Sequence, residues 1–89
     1  MKQKKNSFAS FINEMVSNSS VTIINETSAD IHARVTTTAS GGNVGFYDIS
    51  PGESEWWWRS DMQVAFVLRD DTGATETFVV KAGATYTIS

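Results

Sequence analysis

The apolar positions of the first twenty residues follow a helical period. Five of them stand at i, i+3, i+4, i+7 and i+8, which places them along one face of an α-helix. They are Phe8, Phe11, Ile12, Met15 and Val16. Asn6 or Ser7 can cap the start of this helix, and the serines of 17–20 end it. A helix of about three turns is not stable alone in water, so the pattern predicts that residues 1–19 dock on another apolar surface.

From Ser20 to Ser89 the period changes to two, as the alternating side chains of β-strands require. Turn residues interrupt this alternation at 40–43, 51–52, 70–73 and 82–83. Short strands separated by such turns are typical of an antiparallel sandwich. The sequence therefore predicts an all-β domain over residues 20–89, an antiparallel, immunoglobulin-like β-sandwich of about seven strands. A short amphipathic helical segment precedes it over residues 1–19.

Three adjacent tryptophans form the strand that follows the Pro51-Gly52 turn. Neighbours in a strand point to opposite faces, so one core cannot take all three. We expect Trp57 in the core and Trp56 and Trp58 on the other face. There the two indoles either cover the sheet edge and pack under the helix, or bind a protein, a lipid surface or a carbohydrate.

Composition and charge exclude several classes of function. The chain has 89 residues, a net charge of −3 and no cysteine, so it is a single domain without disulfides or thiol chemistry. Lys2, Lys4 and Lys5 hold three of its seven basic residues, which leaves four basic against ten acidic residues elsewhere. This acidic body argues against nucleic-acid binding. The basic start suits an anionic lipid surface or a neighbour's acidic body.

Two features bear on the location of the protein. Met1–Lys5 resembles the start of a signal peptide, but the segment 6–20 is too polar to be its apolar region. No stretch approaches the length of a transmembrane helix. These features predict a cytoplasmic protein, or one exported without a signal peptide.

We expect no catalytic residues, no cofactor and no metal site. His32 is the only histidine, and its place in an alternating strand points it to solvent. A calcium site built from Asp70-Asp71 with Asp61 or Glu76 is conceivable, but Asp-Asp-Thr-Gly is an ordinary hairpin turn. Catalytic carboxylates need one buried, perturbed member, and the acidic residues are expected at turns and strand ends.

The threonine-rich segment Thr36–Thr38 is good strand material. If it forms an exposed edge, such an edge invites pairing with another chain. In that case, either charged residues such as Arg34 or Lys81 prevent pairing at this edge, or two chains can assemble edge to edge.

Four motifs in a fixed order carry a family resemblance. They are 21–27 (VTIINET), 46–53 (FYDISPGE), Trp57-x-Arg59 and 79–88 (VVKAGATYTI). The chain from Ser20 to Ser89 resembles the small domain of nematodes and fungi called "up-regulated in long-lived insulin-receptor mutants". The resemblance implies a compact β-sandwich and no catalytic residues. The helical segment and the extra tryptophans, Trp56 and Trp58, depart from the family pattern.

The layout is also similar to that of two other groups of proteins. In fungal immunomodulatory proteins, a short N-terminal helix before a β-sandwich mediates dimerisation. Actinoporins combine a helix and an aromatic cluster on a sandwich, although they are about twice as long and their motifs are absent here. Both are likenesses of layout only.

Two hypotheses of function follow. In the first, the chain is a non-enzymatic interaction module that forms a homo-oligomer through the helical stripe, with Trp56 or Trp58 as anchors. In the second, it is a membrane-active or lectin-like binder whose helix and tryptophans engage lipid or carbohydrate. Packing of the helix on its own sandwich is a third possibility for the stripe.

Overall fold

The computed structural model describes residues 19–38 and 44–89. The predicted helix and its apolar stripe therefore lie outside the described residues. The described chain forms seven strands. They are β1 (Ser20–Asn25), β2 (Ile31–Val35), β3 (Tyr47–Ile49), β4 (Ser54–Trp58), β5 (Gln63–Arg69), β6 (Thr75–Val80) and β7 (Thr85–Ile88). The predicted all-β fold is confirmed.

Two sheets build the domain. The three-stranded sheet has the order β4-β1-β7, and the four-stranded sheet has the order β3-β2-β5-β6. Their inward-facing side chains meet in one core, as the period-two pattern requires. Fully buried examples are Val21 and Ile23 from the first sheet and Ile31, Val35 and Val67 from the second.

One strand pair departs from the predicted antiparallel arrangement. β7 runs parallel to β1, from Thr22 opposite Thr85 to Asn25 opposite Ile88, whereas the other four pairings are antiparallel. The turn after β6 brings the chain to the beginning of β1, where Gly83 N donates to Ser20 O at 2.8 Å. The prediction was wrong here because alternation identifies a strand but not its direction.

Thr36–Thr38 does not lie on an edge strand. The segment follows β2, which pairs with β3 on one side and β5 on the other. Thr36 N donates to Val64 O at 3.0 Å, which extends the pairing with β5 past the end of β2. The free edges belong to other strands: β3 and β6 in this sheet, and β4 and β7 in the other.

Asn25, from the first family-like motif, has a structural role. Its buried side-chain amide donates to the carbonyls of Ala29 and Ile49, both at 2.8 Å. Its Oδ1 accepts hydrogen bonds from the backbone N–H of Thr27 at 2.8 Å and from the Thr27 hydroxyl at 2.7 Å. Both ends of the amide are therefore satisfied. The residue fixes the chain where it leaves β1 for the opposite sheet.

Arg59, from the Trp-x-Arg motif, joins the two sheets. Its buried guanidinium donates to the carbonyls of Thr36, Trp58 and Val35 at 2.8, 2.6 and 2.9 Å. Burial lowers the pKa of Arg59 from its usual value. Since Trp58 ends β4 and Val35 ends β2, this one side chain fastens the ends of strands from opposite sheets.

Candidate functional site

Strand β4 places the three tryptophans in different environments. Trp57 stands opposite Val21 of β1 and is only 2% exposed, so it belongs to the core. Trp56 and Trp58 share the opposite face, as alternation requires. Their rings meet edge to face, with centroids 4.8 Å apart and planes at 87°. This geometry is favourable for two indoles.

The two outer tryptophans differ in exposure. Trp58 is 45% exposed, whereas Trp56 is only 9% exposed. Trp56 was expected on the surface and is instead a buried residue of the outer face. The edge-on contact with Trp58 contributes to that burial. Of the predicted anchors on β4, Trp58 alone presents a large accessible indole.

The N-terminal segment joins the sandwich beside Trp58. Ser20, the first residue of β1, stands opposite Trp58, and Arg59 N donates to Ser19 O at 3.0 Å. Ser20 itself is buried. Residues 1–18, which carry the apolar stripe, are thus attached next to the accessible indole. We call Trp56, Trp58 and the strand start at Ser19–Ser20 the aromatic corner.

Glu55 is an exception to the expectation that acidic residues stand at turns and strand ends. It lies within β4, opposite Ile23, and is buried. The period of two explains its position, because Glu55 falls on the same face of the strand as Trp57.

His32 lies on the outer face of the four-stranded sheet between two carboxylates. Its Nδ1 is 2.7 Å from Asp48 Oδ1, and its Nε2 is 2.9 Å from Asp70 Oδ1. Both hydrogen bonds favour the charged imidazolium, so the pKa of His32 is raised above 6.5. The ring has no nitrogen left for a metal or a substrate. The arrangement serves to hold β2, β3 and the turn after β5 together.

Three of the four carboxylates considered for calcium are paired with His32 or Arg69, and the fourth, Asp61, accepts a hydrogen bond from the Thr38 hydroxyl at 3.4 Å. Arg69 donates to both carboxylate oxygens of Asp71, at 3.0 and 2.7 Å, and to Glu76 at 2.6 Å. The Arg69 guanidinium lowers the pKa of Asp71. Asp70 is paired with His32. Within 19–38 and 44–89, no three side chains of histidine, cysteine, aspartate or glutamate are grouped to hold a metal ion.

A second apolar surface lies on the outside of the four-stranded sheet, and sequence reasoning missed it. The Arg34 guanidinium sits near two aromatic rings, 5.3 Å from the centroid of Phe66 and 5.9 Å from that of Phe46. Leu68 and Val79 are exposed on the same face. The available signal was β5, whose residues 64–68 are apolar on both faces of the strand.

No protein-family model matches the chain, no curated protein matches it, and no solved structure matches it. The resemblance to the nematode and fungal domain therefore stays a prediction from four motifs.

No helix within the described residues is long and apolar enough to cross a membrane.

Proposed function

We propose that the chain is a non-enzymatic interaction module that self-associates. The contact surface is formed by the N-terminal stripe of Phe8, Phe11, Ile12, Met15 and Val16 together with the aromatic corner. The observation that carries the proposal is the position of Trp58, an accessible indole directly opposite the residue at which the N-terminal segment enters β1. The segment that carries the stripe is therefore joined to the sandwich next to this indole.

The energetics favour a contact of this kind. Full burial of Phe8, Phe11, Ile12 or Met15 contributes about 1.5–3 kcal/mol each at most. A half-exposed tryptophan at the centre of such a contact is a typical binding hot spot. If most of these side chains are buried in both chains, the summed free energy of burial exceeds the free-energy cost of association at micromolar concentration.

The arrangement of polar side chains supports a role without chemistry. His32 is held by Asp48 and Asp70, and Arg69 is held by Asp71 and Glu76. In each group one cationic side chain is shared by two carboxylates. Ion pairs of this kind stabilise turns and leave no activated acid, base or nucleophile among them.

The test is the mass of the full chain in solution, measured by light scattering behind size-exclusion chromatography. The double variant Phe11→Asp with Met15→Asp places two charges in the apolar stripe. We expect the mean mass to fall, because a charge inside an apolar contact is costly. An unchanged mass would show that the stripe takes no part in association.

A matched control separates the stripe from the added charge. Ser10→Asp with Asn13→Asp adds the same two charges at polar positions on the opposite side of the predicted helix. This variant should keep the mass of the original chain. If the mean mass of this control falls as far as that of the stripe variant, net charge controls association and the apolar contact does not.

The membrane-active or lectin-like alternative uses the same surface and is distinguished by a ligand. Exposed indoles also favour membrane interfaces, and Lys2, Lys4 and Lys5 can attract anionic lipid. This alternative predicts a blue shift of tryptophan fluorescence when anionic liposomes are added, and a weaker shift at high salt. If the ligand is a carbohydrate, tryptophan fluorescence should not change when liposomes are added.

A further inference from the structure

The outer edge of β6 has the properties of a strand-pairing site. β6 pairs with β5 on one side and ends the four-stranded sheet on the other. Arg69 N donates to Ala74 O at 2.9 Å, so these two residues are a hydrogen-bonded pair of the antiparallel ladder. Because such pairs alternate along the strands, Glu76, Phe78 and Val80 form the next backbone hydrogen bonds with β5. The backbone groups of the alternate residues, 75, 77 and 79, therefore point away from the sheet.

The other edge strands are shorter. β3 has three residues, β7 has four and β4 has five, whereas β6 has six. Natural edge strands are protected by lysine, proline or inward-pointing charges. β6 contains no lysine and no proline. Its one charge, Glu76, lies on the inner face of the strand and is paired with Arg69 at 2.6 Å. β6 is the longest edge strand of the described sheets.

The side chains next to this edge add an apolar component. Thr77 and Val79 stand opposite Phe66 and Val64 of β5, on the outer face of the sheet. Val79 is 58% exposed. A strand added to β6 would continue this face and cover Val79, so backbone pairing would be accompanied by apolar burial.

The charges at the two ends of β6 indicate which strand fits. The turn before β6 is acidic, since Asp71 and Glu76 share the single cation of Arg69. The residue directly after β6 is the exposed Lys81. An antiparallel copy of the same strand would bring each Lys81 to the acidic turn of the other chain, whereas a parallel copy would bring the two lysines together.

We propose that β6 pairs antiparallel with β6 of a second copy of this chain across a two-fold axis, with Thr77 opposite the partner's Thr77. The two four-stranded sheets then form one continuous sheet of eight strands. In this register Lys81 stands opposite the partner's Gly73, beside the partner's Asp71. The contact is isologous, because the same strand is used by both chains.

This interface is independent of the aromatic corner, which lies on the other sheet. Its test must therefore not depend on the N-terminal stripe. The chain contains no cysteine, so a single introduced thiol reports on its own counterpart. Residues directly opposite in an antiparallel pair have Cα atoms about 5.5 Å apart, within the range for a disulfide.

The experiment compares Thr77→Cys with Thr87→Cys in the full chain under mild oxidation. Thr87 is an exposed residue of the edge strand β7 in the other sheet, and it is the matched control. Each substitution is made with and without Phe11→Asp and Met15→Asp. Circular dichroism checks that all four proteins are folded.

The expected result is disulfide dimerisation of Thr77→Cys that is roughly tenfold or more faster than that of Thr87→Cys, because pairing holds the two thiols together. The excess should persist when both Asp substitutions are present. Equal rates for the two cysteines, or an excess that disappears with the Asp substitutions, would overturn the proposal. The comparison made in the presence of both Asp substitutions does not depend on whether the N-terminal stripe associates.

A second pair of variants tests the backbone contact itself. Thr77→Pro removes an N–H that points away from β5 and so leaves the ladder with β5 intact. Thr77→Lys keeps that N–H and places two like charges opposite each other at the two-fold axis. Both should lower the mass of the Phe11→Asp, Met15→Asp chain to that of a monomer, and Thr87→Lys should not. A mass unaffected by Thr77→Lys in a folded protein would contradict the pairing.

Discussion

The two sheets present different kinds of surface. The three-stranded sheet has a local aromatic corner, where one accessible indole stands beside the start of β1. The four-stranded sheet has a broad outer face with scattered apolar side chains and a six-residue edge strand, β6, without lysine or proline. In our two proposals, association at the corner depends on the burial of side chains, whereas association at the β6 edge depends on unpaired backbone groups. We therefore expect loss of the Trp58 indole to disable the corner. The edge should be disabled by removing an outward N–H, as in Thr77→Pro, or by placing like charges at the two-fold axis, as in Thr77→Lys.

The largest predicted change in the free energy of unfolding comes from the tryptophans of β4. Trp57→Ala should lower the free energy of unfolding by about 3–5 kcal/mol, because it leaves a large cavity in the core. Trp58→Ala should change it by less than about 1 kcal/mol, since much of that side chain is exposed. Urea unfolding of both variants measures the difference. Similar losses for the two would mean that Trp58 is as much a core residue as Trp57.

Arg59 should have the next largest effect, because it connects the two sheets. Arg59→Met keeps much of the apolar stem but leaves the carbonyls of Val35, Thr36 and Trp58 without their donor. Hydrogen bonds to a charged group are worth about 1.5–3 kcal/mol each, and the loss is partly recovered by water. We expect a loss of about 3 kcal/mol in the free energy of unfolding. A loss no larger than that of a surface substitution such as Ser60→Ala would contradict the connecting role.

The smallest predicted effect concerns His32 and has a defined sign with pH. Because the pKa of His32 is raised in the folded chain by Asp48 and Asp70, its contribution to stability is fully present below pH 6.5. The contribution is lost as pH rises through the folded-state pKa. The ion pairs are partly exposed, so the change should stay below about 1 kcal/mol.

The measurement is the free energy of unfolding across this pH range for the original chain and for His32→Asn. The decline with rising pH should be present in the first and absent in the second. If the free energy of unfolding of His32→Asn falls with rising pH as much as that of the original chain, a group other than His32 titrates in this range.

The strands and their turns could be predicted from the sequence because a period of two and well-placed glycines are local signals. Gly52, Gly73 and Gly83 all have positive φ, at the turns that the sequence indicated. The direction of β7 could not be predicted, since it depends on how the chain crosses between sheets. The interactions of His32 and Arg59 were also out of reach, because their partners are distant in sequence.

The outer face of the four-stranded sheet teaches a different lesson. Its apolar residues form no motif, and they come together only when β5 and β6 are placed side by side. The tryptophans, by contrast, were conspicuous in the sequence, yet only one of them is well exposed. Exposure depends on what neighbouring strands cover, and the sequence of one strand does not contain that information.

The most direct test of the proposed self-association is the mass of the full chain carrying Trp58→Ser, measured by light scattering at several concentrations. Met62→Ser is the matched control, since Met62 is 67% exposed and lies outside both surfaces. We predict that Trp58→Ser lowers the mass toward that of the Phe11→Asp, Met15→Asp chain, while Met62→Ser leaves it unchanged. A Trp58→Ser chain with the mass of the original protein at every concentration would contradict the account.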